Sequence, residues 1–183
     1  MIFRQLFEPL SSTYTYLLGC EETGLAVLID PVIASLDRDL REVQRLGLQL
    51  AYSIETHIHA DHITAALELK RKAGSKIAAP AAEGVLCADV NLEEGKPLQV
   101  GGIVLNPLHT PGHTAGHCAY ALNDRVFTGD ALLIEGCGRT ISWFIRRTII
   151  KTAMYRQLPR KKSVIPVSAR TRRWTSSGPS WQI

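Results

Sequence analysis

Residues 55–62 read Glu55-Thr56-His57-Ile58-His59-Ala60-Asp61-His62, which puts three of the chain's six histidines and a carboxylate into six consecutive positions. In an extended segment His57 and His59, two apart, point the same way and can face one ion together. Asp61 and His62 come round next as a helix begins. Imidazole and carboxylate without cysteine suit iron, zinc or manganese, and they disfavour a structural zinc. The plain alternative is a solvated polar loop, but the density of ligand types in so short a stretch speaks for a metal.

Two further elements downstream join this one. His109-Thr110-Pro111-Gly112-His113-Thr114 is a loop in which Pro111-Gly112 makes a tight turn that can present His113, with His117 behind it. His109 and His117 read as surface groups or as supports behind the ligands. The third element is Phe127-Thr128-Gly129-Asp130, a strand followed by Gly and then Asp. His57 or His59, His113 and Asp130 would then bring ligands from three strand ends, where α/β architectures build sites.

The surrounding pattern is mixed. Residues 1–10 read as a first strand, since one Arg, then Glu8, and no small-residue cleavage site argue against a signal peptide. Residues 13–18 and 25–30 form an antiparallel hairpin. Residues 37–46 are an amphipathic helix with Leu40, Val43 and Leu46 on one face, ended by Gly47. Residues 48–55 are a buried strand running into the histidines, 63–73 a helix closed by Gly74, 76–79 a strand, 81–88 a short helix and 100–108 a strand. Residues 117–122 and 125–128 make a hairpin over Asn123-Asp124.

At 183 residues and 45% hydrophobic the chain can bury one core. No run approaches the ~18–20 apolar residues of a membrane span. Cys20, Cys87, Cys118 and Cys137 form no C-x-x-C pair, which fits reduced thiols and a cytoplasmic location. The formal charge of +4 hides a split: every Asp and Glu lies in residues 1–140, whereas residues 141–183 hold ten basic residues, no acid and all three tryptophans.

The run Thr56-His57-Ile58-His59-Ala60-Asp61-His62, then His109-Thr110-Pro111-Gly112-His113-Thr114, then Phe127-Thr128-Gly129-Asp130, resembles the metallo-β-lactamase superfamily across residues 1–140. The resemblance implies an α/β fold, the four-layer αβ/βα sandwich. Two branches compete, glyoxalase II-like zinc thioesterases and persulfide dioxygenases with one Fe(II) per chain. The second is closer in residues 7–19 (FEPLSSTYTYLLG), in the histidine loop and in residues 129–140 (GDALLIEGCGRT).

By that likeness His57, His113 and Asp130 hold iron, while His59, Asp61 and His62 stand behind them as catalytic supports that fix ligand tautomers. Arg139 would hold a substrate carboxylate, while Cys137 reads equally as a buried small thiol or as a group near the site. The implied partners are glutathione persulfide or a related thiol, and O2; a homodimer is the implied assembly. In the thioesterase alternative His57, His59 and His113 hold one zinc, Asp61 and His62 a second, and Asp130 bridges them. That arrangement needs a further late histidine, and none follows His117.

The likeness ends abruptly at residue 140. The favoured reading is a coding sequence out of frame with its relatives, because charge balance, tryptophan usage and motif all break at one residue. The others are a basic appendage for polyanions such as nucleic acid or an anionic membrane surface, or a packed helix pair with Ile145, Ile149, Thr152 and Tyr155 on one face and disorder from residue 156. The chain then divides into a domain over 1–140 and a tail over 141–183. With an inactive scaffold as the third functional class, the expected activity is persulfide oxidation first and thioester hydrolysis second.

Overall fold

The computed structural model describes residues 1–133. Cys137, Arg139 and the whole tail lie outside the described residues. Among the described residues ten strands form two sheets: β1 Ile2–Glu8, β2 Thr13–Gly19, β3 Leu25–Ile29, β4 Gln49–Ile54, β5 Lys76–Pro80 and β6 Val90–Leu92 in one, and β7 Leu98–Val100, β8 Ile103–His109, β9 Cys118–Ala121 and β10 Val126–Phe127 in the other. The first sheet runs in the order β1-β2-β3-β4-β5-β6, and the second in the order β10-β9-β8-β7. β1, β2 and β3 pair antiparallel, whereas β3 through β6 are parallel neighbours. Parallel neighbours need crossovers. Helices α1 Leu36–Arg45 and α2 Ala66–Ala73 lie in two of these.

Strand alternation divides the core in two. Leu18, Val27, Ile29, Ile54 and Ala78 point toward the second sheet and meet Val100, Ile103, Leu105, Cys118, Tyr120 and Phe127. Their neighbours Leu17, Ala26, Leu28 and Leu50 point the other way, against Leu36 and Val43 of α1 and Leu69 of α2. The central sheet is thus covered on both faces, which is why residues 25–29 read as an unbroken apolar run instead of an alternating one. Each leucine fully buried here contributes about 1.5–3 kcal/mol. Two sheets and one helical layer are present among the described residues. No helix among them is long and apolar enough to cross a membrane.

Local departures from the sequence expectation have physical causes. α2 starts at Ala66, not at 63, because residues 63–65 are stitched to the segment after β3: Val32 bridges Thr64, and Ala65 N donates to Pro31 O at 2.7 Å. The Thr64 hydroxyl then accepts from Ala66 N at 3.1 Å. α2 ends where Gly74 adopts φ 70°, a left-handed helix stop. The helix expected over 81–88 is only a 3-10 turn, Ala81–Glu83, and β6 follows it. The strand expected over 100–108 is two strands around a Gly101-Gly102 turn.

Candidate metal centre

The parallel strands place their C-terminal ends together, and the first histidine loop leaves the end of β4 there. Two hydrogen bonds fasten it to the second sheet. Cys118 N donates to Thr56 O at 2.9 Å, and the fully buried Tyr120 hydroxyl donates to Glu55 O at 2.6 Å. His57 therefore faces the β8–β9 loop, which carries His113, and the turn after β10, which carries Asp130. One ligand atom from each of His57, His113 and Asp130 lies within 4.8 Å of the others. His113 Nε2 is 3.4 Å and His57 Nε2 3.9 Å from the same oxygen, Asp130 Oδ2.

These residues fit a metal. His57 is 2% exposed, and its Nε2 is buried with no hydrogen-bond partner among the described residues while it faces the other two groups. A buried polar atom without a partner is costly, and a cation shared with His113 and Asp130 would remove that cost. Burial is the first cause, and the neighbouring His59 the second, that holds the His57 pKa below its ordinary value and favours the neutral, ligating form. His113 and Asp130 are partly open, with side chains 33% and 41% exposed, so a substrate could approach from their side.

The other loop residues group separately. His59, Asp61 and His62 form a second set within 4.8 Å, and Asp30, Glu55 and His59 a third. His59 Nε2 lies 3.2 Å from both Asp30 Oδ1 and Glu55 Oε2. Burial works to lower the His59 pKa, but the bonds to Asp30 and Glu55 prevail and push it up to about 11. Burial alone would raise Asp30, yet His59 and the Thr56 amide hold it down. Burial does raise Glu55, whose carboxylate also accepts from the Thr64 hydroxyl. Asp61, open to solvent, pairs at 3.2 Å with His62, whose side chain is nearly buried.

His117 is buried, which excludes the surface half of its expectation and leaves the other, a support behind the ligands. It is 0% exposed, its ring stacks on His57 with centroids 5.1 Å apart, and Nδ1 meets Thr110 Oγ1 at 2.8 Å. It is not a surface group. Burial drives its pKa down to about 3. His109 reaches only the Ala115 carbonyl, at 3.1 Å. Gly129 explains why a glycine precedes Asp130: its φ is 45°, and a Cβ there would sit 2.4 Å from Thr56 Oγ1 and 2.9 Å from His117 Nε2. Sequence reasoning missed Asp30, Thr56 and Glu55. The available signal was their position at the ends of two adjacent apolar strands.

The two extreme histidines make a pH prediction for the metal-free chain. Above pH 6.5 unfolded histidine is neutral while native His59 keeps its proton to about 11, so stability falls as pH rises through that window. Below 6.5 unfolded histidine is charged while native His117 stays neutral down to about 3, so stability falls as pH drops. Each limb slopes by about 1.4 kcal/mol per pH unit per proton. Urea midpoints at pH 5, 6.5 and 9 should peak at 6.5; a monotonic series would contradict the burial of these two rings.

Comparison with known proteins places the chain in a family. The family profile described as the metallo-beta-lactamase superfamily matches residues 9–90 and 88–164. Over 148 residues the chain is 46% identical to the mitochondrial persulfide dioxygenase ETHE1 of Bos taurus, covering 76% of this chain and 56% of that protein. It is 35% identical over 144 residues to a hydroxyacylglutathione hydrolase of Rhodopseudomonas palustris strain BisA53, covering 74% of this chain and 54% of that protein. The crystal structure of ETHE1 from Myxococcus xanthus superposes with a TM-score of 0.74 at 51% identity, covering 76% of this chain and 62% of that one. The chain thus spans a little over half the length of the curated relatives it matches.

Proposed function

We propose, from the premise that this chain belongs to the metallo-beta-lactamase superfamily, that it is a metal-dependent sulfur dioxygenase acting on a glutathione-type persulfide. The observation that carries this reading is the isolation of one two-histidine, one-carboxylate set. Among the described residues His57, His113 and Asp130 share no member with the His59, Asp61 and His62 set. A two-zinc hydrolase would need Asp130 in both. The higher identity to the persulfide dioxygenase than to the hydrolase supports the same choice.

Two imidazoles and a carboxylate are the donor set of non-haem Fe(II) oxygenases. Iron is the proposed metal, and zinc the alternative. Held there, Fe(II) would supply activation of O2 beside a coordinated sulfur. In the balanced reaction one persulfide, one O2 and one water give one thiol, one sulfite and two protons. His57, fixed by the β4 end, and His113, on its Pro-Gly turn, would hold the ion in place. Asp30 and Glu55 hold His59 and with it the floor of the loop. Asp61, with a side chain 48% exposed, is proposed to pass the released protons to water, and His62, 5% exposed, to hold it from behind. Three free cysteines among the described residues suit a reducing compartment such as the cytoplasm.

The test is elemental analysis of the purified chain followed by two assays. About one iron per chain with O2 uptake on glutathione persulfide is the expected result. Zinc with hydrolysis of an S-acylglutathione, and no O2 uptake, would establish the thioesterase instead.

A further inference from the structure

We propose that Thr56 is a positioning residue that sets the tautomer of His57, holding the proton on Nδ1 so that Nε2 presents a lone pair to His113 and Asp130. The proposal rests on the reading of these three as a metal site, and it names a residue that the ligand set does not contain.

The protons available to these groups decide the tautomer. The Thr56 hydroxyl carries one, and it has two polar neighbours, Asp30 Oδ2 at 2.9 Å and His57 Nδ1 at 2.9 Å. Asp30 is committed as an acceptor. Its other oxygen takes the Thr56 amide at 2.7 Å and lies 3.2 Å from His59 Nε2. An ionised carboxylate has no proton to give, so the hydroxyl must donate to it. If the hydroxyl donated to His57 instead, two buried oxygens would face each other at 2.9 Å with no proton between them. Having donated, Thr56 Oγ1 can only accept, and the donor left for it is the Nδ1 proton of His57.

The far side of the ring agrees. With Nδ1 protonated, the partnerless Nε2 is a lone pair, the form a cation requires. With Nε2 protonated, it would be a buried N–H whose nearest ion-pair oxygen, Asp130 Oδ2, is 3.9 Å away, beyond hydrogen-bond range. Gly129 guards the arrangement from above, since a Cβ there would fall 2.4 Å from the Thr56 hydroxyl oxygen. Asp30, Thr56 and His57 thus form a relay from two adjacent strand ends, with a hydroxyl standing where metal sites more often place a carboxylate or a carbonyl directly on the imidazole.

Two measurements on the full chain test this. Long-range proton–nitrogen NMR of the metal-free protein above pH 7 should show His57 protonated on Nδ1; a spectrum with the proton on Nε2 overturns the proposal. Anaerobic competition for Fe(II) should show Thr56→Val binding about 10–100-fold more weakly, with Thr56→Ser, which keeps the hydroxyl, restoring binding to within about threefold. A folded Thr56→Val that binds Fe(II) as tightly as the parent also overturns it. If the valine variant does not fold, the NMR arm on the unaltered chain still decides. If the parent binds no iron, the metal reading fails, while the NMR result stands separately for Thr56.

Discussion

Alanine at His113 or Asp130 should yield a folded chain that retains no iron and loses persulfide oxidation by more than about 100-fold, the upper end of what changes behind the ligands produce. Both side chains are open to solvent by a third or more, so their removal leaves no core cavity, and folding should be unaffected. His57 is a worse choice for this test because it is buried and stacked on His117. The measurement is iron content by elemental analysis beside far-ultraviolet circular dichroism and O2 uptake. Either alanine variant binding a full complement of iron would show that the ion sits elsewhere, with the set of His59, Asp61 and His62 as the next place to look.

Asparagine at Asp30 should destabilise the metal-free fold by about 3 kcal/mol, the low end of the range for breaking a buried ion pair. The substitution keeps the size and shape of the side chain. It also tolerates the backbone, since Asp30 has φ 49° and asparagine is among the few residues at ease there. What changes is charge and acceptor capacity. Asp30 takes the Thr56 amide and hydroxyl and faces His59 Nε2. An amide can accept at one atom only, and it turns its NH2 toward one of these donors. Glu55 stays beside His59, which is why the cost lies toward the lower end. Equilibrium urea unfolding without metal separates this effect from ion binding, and a loss under about 1 kcal/mol would mean that the cluster behaves like an exposed pair.

Much of the frame was legible because it is periodic or dense. The β1–β2–β3 hairpins, α1 and the strand entering residues 55–62 follow from alternation and helical spacing. His57 or His59, His113 and Asp130 stood out because ligand types clustered just after strands, and only the family likeness singled out His57. β6 and β7 were missed as separate strands because three residues carry too little periodicity to register. Asp30, Thr56 and His117 were hidden for another reason. An Asp ending an apolar run and a Thr before a His are ordinary in sequence. They become a relay only because β3 and β4 lie side by side, with Asp30 N on Ile54 O at 2.8 Å. His117 sits one residue before β9, and nothing local tells a buried ring from a solvated one.

His57 belongs to one sheet, whereas His113 and Asp130 belong to loops of the other. A cation gripped by all three is therefore also a clasp between the halves of the sandwich. At a free ion concentration a hundred times its dissociation constant, that clasp adds about 2.7 kcal/mol to folding. Scarcity of the ion would then do more than idle the catalyst. It would leave newly made chains unlatched and open to proteases, so that the amount of protein, and not only its turnover, follows the supply of metal.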